Sequence, residues 1–532
     1  MKPDSARSTS VWMATTDVPL FAPLDGDLQV DVCVIGAGIA GLTTAHLLAK
    51  QGRSVVVLDD GPMCGGETQR TTAHLSNVID DHYYEVERIH GKEAARLARK
   101  SHSAAIDKIE ELIAAEKIEC DFSRLDGYLF VDSGQSRHDL QREFEACQEA
   151  GFDDIEMLDT LPFSDGAKKF PCIRFPRQGQ FHVLKYLTGI TRAFLRNNGS
   201  VYTGTHVTGI TDGATVEIAT TGNYKVRAKN VVIATNSPIT DWIKIHTKQS
   251  AYRSYVIAGK IPKGIVPKAL FWDMADPYHY VRTQPFDGQH EMLIVGGEDH
   301  RTGQSHDYDE RFARLESWAR QRFPALGSIE QKWSGQVYET IDGLAFIGRD
   351  PAHGPNVFIA TGDSGMGMTH GTIAGMLLTD LITDKPNEWS AIYEPSRKPL
   401  HALLQYVVEN AETALSYLDY LKPAEVKSVD EIATGEGAIL SEGGKKVAAY
   451  RDEYGELTNL CAVCPHAKAI VNWNSYEKSW DCPAHGSRFK ADGTVVDGPA
   501  NGNLQPAEPA PQHEPLVPTP GASDISPDAP GR

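Results

Sequence analysis

The sequence predicts an α/β (α+β) multidomain chain that opens on a wound parallel-sheet unit and closes on a small all-β module. Three observations predict it. A strand, glycine turn, helix and strand follow one another over residues 31–60. A second strand, glycine turn and helix occupy residues 356–382. A cysteine/histidine cage on strand-like sequence lies in residues 460–489.

A chain of 532 residues is too long for one ordinary core and implies two to four domains. Its net charge of −19 argues against nucleic-acid and anionic-membrane binding, since both need clustered Lys and Arg. Mean hydropathy is −0.34 and no run of 18 apolar residues occurs, so no membrane span is expected. The first residues lack a basic start followed by an apolar core, so no secretory signal is expected. Cys33, Cys64, Cys120, Cys147 and Cys172 are scattered and read as packed thiols, whereas Cys461, Cys464 and Cys482 cluster. These features fit a cytoplasmic redox protein.

In the first motif, residues 32–35 form a short apolar run of buried parallel-strand type. Gly36-Ala37-Gly38-Ile39-Ala40-Gly41 follows, then a helix over residues 42–51, then a strand over residues 54–58. Gly36 permits the tight turn, Gly38 lets the backbone approach a pyrophosphate, and Gly41 lets helix and strand pack closely. The helix N-terminus offers free N–H groups to phosphate. Asp59 follows Gly41 by 18 residues (59 − 41), near the spacing of about 20 expected of an acid that binds a ribose hydroxyl. This Rossmann-like order predicts a dinucleotide site but does not choose between NAD and FAD.

The next segment, "GGETQRTTAH" at residues 65–74, resembles the D-amino-acid-oxidase-type flavoproteins, the family of sarcosine, glycine and glutamylputrescine oxidases. "NVVIATNSP" at 230–238 and "NVFIATGDSGMGMTHGTIAGMLLTDLI" at 356–382 resemble that family's later nucleotide strand and closing FAD segment. The resemblance covers residues 10–414 and implies FAD. It places Arg70, Thr71, Thr72, Val207, Thr235, Gly362, Gly365, Met366, Gly367, Met368 and Thr369 beside the cofactor with Gly36, Gly38, Gly41 and Asp59. It also implies an FAD domain (about 28–85, 180–240 and 333–385) interleaved with an antiparallel-sheet substrate domain (about 90–175 and 245–330), within residues 10–420. From the residues themselves, the last segment reads as a strand over 356–360 and a helix over 372–382.

The cage pairs Cys464-Pro465-His466 with Cys482-Pro483-Ala484-His485. Two Cys and two His suit tetrahedral Zn²⁺. Fingers, however, group Cys with Cys and His with His, whereas here each loop supplies one of each. That suits a [2Fe–2S] centre with two thiolates on one iron and two imidazoles on the other. With "HGSRF" the stretch resembles a Rieske domain over 422–504. The extra cysteines of respiratory Rieske proteins correspond to Ala469 and Ala484, and Phe489 stands where many carry Tyr. Ser487 remains a donor toward the cluster. Cys461 reads as a packed thiol. Residues 423–437 read as a linker, and 505–532, with eight prolines, as a disordered tail.

The resemblance implies oxidation of a C–N bond in an amine or amino acid, with electrons leaving through the cluster to an external acceptor. Alternation over 278–282 puts Tyr278, Tyr280 and Arg282 on one strand face. The resemblance makes Arg282 the candidate for a substrate carboxylate, with Tyr280 and Tyr252 as further pocket candidates. Three alternatives stay open: an NAD(P)H-dependent reductase, an O₂-using oxidase with a structural cluster, and a non-enzymatic redox sensor.

Overall fold

The computed structural model describes residues 7–132, 136–163, 169–239, 245–398 and 402–507. Residues 508–532 of the expected tail lie outside these. The strand Leu28–Ile35 sits in the middle of the first sheet, whose order is Phe346–Arg349, Val357–Thr361, Lys225–Ile233, Leu28–Ile35, Val55–Leu58, Ser200–Tyr202. The last five are parallel, with Ile35 level with both Leu58 and Ile233, and Ile233 level with Ile359. Their Val and Ile side chains are buried on both faces, as a helix-covered parallel sheet requires. The C-terminal ends of these strands therefore meet in one crevice, the usual ligand position in such folds.

Two helices close this sheet and pack on each other. Ile39–Lys50 begins three residues earlier than the sequence suggests, and Gly367–Ile382 begins five residues earlier. The glycines that read as loop are helical contact points. A Cβ on Gly371 would lie 2.6 Å from Ile39 Cγ2, and one on Gly375 would lie 2.4 Å from Thr43 Cγ2. Glycine here removes side chain so that two helices can approach, which overrides its poor helix propensity.

The second sheet has nine strands, ordered Ile329–Thr340, Gln249–Pro262, His290–Arg301, His279–Pro285, Leu270–Asp273, Ser123–Phe130, Cys172–Gln180, His74–Leu75, with Glu156–Leu158 beside Cys172–Gln180. It is antiparallel except for one parallel pair, Leu270–Asp273 with Ser123–Phe130. Its strands come from segments on both sides of the nucleotide-sheet strands, so the two domains are interleaved.

The C-terminal module is all β, with a three-stranded sheet (Glu436–Glu442, Lys445–Arg451, Leu457–Cys461) and a four-stranded sheet (Asn472–Asn474, Ser479–Asp481, Arg488–Lys490, Val495–Asp497). Trp473 and Trp480 face each other across a register pair, with ring centroids 4.7 Å apart. Two boundaries differ from the sequence reading. Residues 423–437 are not a loose linker: Glu425 N–H donates to Ile439 O, and Val426 and Val429 pack on Ala438 and Leu440. Residues 505–507 are not tail: Cys461 N–H donates to Gln505 O and Ala507 N–H to Asn459 O. Backbone pairing, invisible in composition, orders both.

This module is clamped to the rest of the chain. Glu477 is fully buried and takes Arg253 at 3.3 Å, Ser8 Oγ at 2.7 Å and the Ser334 hydroxyl. Burial opposes its charge, but Arg253, Arg70 and Arg488 outweigh burial and hold it at about 2. Such a pair is costly to break, because removing one partner strands a buried charge.

Candidate active site and cluster site

One cavity of about 320 Å³ opens at the strand ends of the first sheet. Gly36 (φ +105°) forms its floor, and a Cβ there would lie 2.3 Å from Ala234 O. Gly41 is outside the lining, but a Cβ on it would lie 1.9 Å from Gly36 O, so it holds the turn against the helix. The helix that starts at Ile39 has Gly38 as its N-cap, and Thr68 Oγ1 accepts from Ile39 N–H at 3.3 Å. Asp59 lies at the end of the next strand and accepts from Ala37 N–H at 2.7 Å and Gly61 N–H at 2.8 Å. Arg70, Thr71, Thr72, Val207 and Thr235 line the cavity, as do Gly362, Gly365, Met366, Gly367 and Met368. The glycine cradle, the helix start that opens on the cavity and the acid beside them fit a dinucleotide such as FAD.

Thr369 does not reach the cavity. Its hydroxyl bonds His102 Nδ1 at 2.8 Å and Met366 O at 3.2 Å, which pins the helix start instead.

The far wall is built by the second sheet. Trp272, Tyr278, Tyr280 and Ser254 line it, with His74 beside Tyr280 at a ring distance of 5.6 Å. Tyr280 OH and Ser254 Oγ are 2.6 Å apart, and Tyr278 OH donates to Asp80 Oδ2 at 3.3 Å. Asp80 opens into the cavity within a thick shell of protein. That desolvation, with Asp81 beside it, pushes its carboxyl up to about 7. Desolvation by the protein around them likewise raises Asp81 and Asp299 to about 7, although Asp81 keeps contact with solvent. Of these three carboxyls Asp80 lines the cavity, so its far end carries an acid that ionises near pH 7.

Arg282 does not face this space. It is fully buried, and one guanidinium nitrogen donates to Thr72 O at 3.1 Å, Ala73 O at 2.8 Å and Phe181 O at 3.2 Å. Its other terminal nitrogen donates to Gln284 Oε1. The alternation that aligned it with Tyr280 is correct, but two residues along the strand the cavity has ended. Arg282 pins the backbone of the Thr72-Ala73 segment, which leaves no fork for a substrate carboxylate. Arg282→Met will therefore act on stability. Orphaning these carbonyls should cost about 3 kcal/mol, read as a fall in Tm, with KM unchanged in the folded protein. Tyr252 also lies outside the lining, on Gln249–Pro262 in register with Arg301 and Val337.

The two cage loops are matching turns. Lys468 N–H donates to Cys464 O at 3.1 Å, and Gly486 N–H to Cys482 O at 3.0 Å. These turns set the Cys464 and Cys482 thiols side by side, where each shifts the other's titration. They set the His466 and His485 rings 5.1 Å apart and edge-on. His485 Nδ1 is buried with no hydrogen-bond partner among the described residues. No three His, Cys, Asp or Glu residues converge for a single ion among the described residues. Thiols paired with thiols and imidazoles with imidazoles fit a two-iron cluster, and not a tetrahedral zinc. Ala469 and Ala484 are packed in the module's core, where no disulfide is possible.

Sequence reasoning missed how these two sites meet. Val495, Asp497, Gly498 and Asn501 of the C-terminal module line the same cavity as Gly36 and Met366. Gln336, on the cavity wall, donates through Nε2 to Gly486 O at 2.9 Å and to Asp497 Oδ2 at 3.0 Å. Gly486 directly follows His485. Tyr338 OH donates to His485 O at 3.5 Å, and the His246 ring lies 5.0 Å from His466 and 6.0 Å from His485. Asn501 Nδ2 donates to Val207 O at 3.1 Å. None of these residues carries a motif, and only the packing of one domain on another assigns them.

The family model for the FAD dependent oxidoreductases matches residues 31–381, and that for the Rieske [2Fe-2S] domain matches residues 422–508. YhfW of Bacillus subtilis (strain 168), provisionally named a Rieske 2Fe-2S iron-sulfur protein, is 32% identical over 92% of this chain and 95% of its own. The gamma-glutamylputrescine oxidoreductase of Escherichia coli (strain K12) is 24% identical over 70% of this chain and 88% of its own. Among solved structures, glycine oxidase from Geobacillus kaustophilus superposes with a TM-score of 0.58 at 20% identity, over 70% of this chain and 99% of that one, a likeness of fold. No helix among the described residues is long and apolar enough to cross a membrane.

Proposed function

The chain belongs to the FAD-dependent oxidoreductase family and carries a C-terminal Rieske [2Fe–2S] domain, and from that premise we propose that it is a dehydrogenase for a cationic amine, with its own cluster as the electron outlet to an external acceptor. One observation carries the reading: the cluster module forms part of the wall of the flavin cavity, with Gln336 bonded to both. When bound, FAD supplies two-electron oxidation of the carbon beside nitrogen, and the cluster supplies one-electron steps to the outside.

The chain's own residues position and shield. Trp272, Tyr278 and Tyr280 wall the far end of the cavity. The start of helix Gly367–Ile382 has no side-chain cap and directs positive dipole toward the cofactor segment. Gln336 holds the Gly486 turn against the cavity wall. The acidic far end favours an amine that carries a cationic group, as in an aliphatic diamine. With Arg282 committed to backbone, its guanidinium is not free to pair with a substrate carboxylate.

The test is anaerobic mixing of holoprotein with aliphatic diamines, N-methyl and D-amino acids, and NAD(P)H, following flavin bleaching and the cluster's EPR signal together. Bleaching by diamines with a Rieske signal appearing is expected. Bleaching by NAD(P)H alone overturns the reading. Asp80→Asn should raise KM for diamines by about 10- to 150-fold, the value of one charge-assisted hydrogen bond of about 1.5–3 kcal/mol. Because Asp80 is raised to about 7, its anion forms as pH climbs through that value. Diamine KM should therefore fall from pH 6 to pH 8 in the wild type, and much less in Asp80→Asn.

A further inference from the structure

The histidine side of the cage faces inward, against His246, Ala251 and Tyr338. An external acceptor must therefore approach from another side. The first cage loop shows that side: Lys468 is exposed, and Pro465 and Ala467 are partly so. A segment from outside the module lies directly against this loop. The helix Leu403–Leu415 runs into the 3₁₀ helix Ser416–Tyr420. There Tyr417 OH donates to Ala467 O at 2.6 Å and Tyr420 OH to Lys468 O.

In a 3₁₀ helix residues three apart share a face. Tyr417 and Tyr420 form the row that grips the cage loop. Leu415, Leu418 and Leu421 form another row, and they are 61%, 51% and 82% exposed. Three leucines so open to water, beside a redox centre, mark an interaction surface. Lysines flank them in a chain whose net charge is −19. Lys468 lies on the cage loop, and Lys446 donates to Lys422 O at the end of the leucine row. Lys422 also pairs with Asp419, which leaves one of the three lysines partly neutralised.

We propose that this leucine ridge and its lysines are the docking surface for an acidic one-electron carrier protein, which takes electrons from the cluster through the Pro465–Lys468 loop. An apolar centre with a charged rim is the usual anatomy of such a contact. A chain of net charge −19 repels an acidic carrier everywhere except where lysines gather, so the same charges select the carrier and orient it. The step is one electron from the reduced cluster to a ferric centre in the carrier, which becomes ferrous, and no proton moves. This inference rests on the electron outlet proposed above and names what stands at its end.

The experiment uses dithionite-reduced holoprotein, so the amine substrate plays no part. Succinylated ferricytochrome c serves as the acidic carrier and native ferricytochrome c as its basic counterpart. The wild type should reduce the succinylated form at a rate that falls as salt rises. The double variant Lys422→Glu/Lys446→Glu should slow it by about 10-fold at low salt. Leu418→Ser/Leu421→Ser should slow it at every salt concentration. Neither variant should slow native cytochrome c, or change the flavin and cluster spectra. Equal rates for wild type and both variants overturn the proposal. Binding of the ridge to phosphatidylglycerol vesicles, or a dimer in light scattering that the leucine variant dissolves, also overturns it by naming a different occupant. If ferricyanide fails to reoxidise the wild-type cluster, the outlet itself fails, and with it the proposed function.

Discussion

Replacing Cys482 with alanine will remove the iron and leave the flavin. In the proposed cage two thiols and two imidazoles would hold the metal, and each loop supplies one of each. Without Cys482, one iron keeps a single protein thiolate, and neither half of the cluster is held. Iron content should fall from about two per chain to none, with the Rieske EPR signal lost. The FAD cradle is made by Gly36, Gly38, Asp59 and the helix starts, none of which touches Cys482, so flavin absorbance should persist. Substrate should still bleach the flavin, while reduction of one-electron acceptors collapses. The module around the lost cluster stays clamped through the Glu477–Arg253 pair, neither of which belongs to the cage. If FAD were lost together with iron, the cluster would be needed to shape the cavity wall at Asp497 to Asn501, and the division of labour would be wrong.

Gly41→Ala is expected to have the second large effect, and on the other cofactor. Its new Cβ would stand 1.9 Å from Gly36 O, an impossible contact with backbone that has no flexible end to swing aside. Either the helix Ile39–Lys50 moves off the sheet or the Gly36 turn opens, and both displace the N–H groups that face the pyrophosphate. Overpacking of this kind costs about 1–3 kcal/mol, which corresponds to about 5- to 150-fold weaker FAD binding. FAD titration of the deflavinated protein, followed by fluorescence quenching, measures it. Gly26→Ala is the control. Nothing lies within 4 Å of its Cβ, so it should bind FAD as the wild type does.

The sequence by itself determined the two cofactors, FAD and a Rieske [2Fe–2S] cluster, and offered candidate residues for each. Gly36, Gly38, Gly41 and Asp59 are legible because a dinucleotide cradle is local, with strand, turn, helix and acid adjacent in the chain. Cys464, His466, Cys482 and His485 are legible for a similar reason, since two short turns carry all four. The sequence also contained the strand alternation that places Tyr280, but not the depth at which the cavity ends. Whether Arg282 meets substrate or the carbonyls of Thr72, Ala73 and Phe181 depends on which distant backbone lies beyond the strand, and no local pattern encodes that. The helix start at Gly367 was hidden because glycine argues for a loop until the partner helix that requires it is in view. Only the tertiary structure decided that the two cofactor sites share a wall. Gln336, His246, Asp497 and Asn501 belong to segments far apart in the chain and carry no motif of their own. Their roles come from the burial of one domain face against another, a long-range packing whose free energy is spread over many small contacts and leaves no periodic trace in the chain.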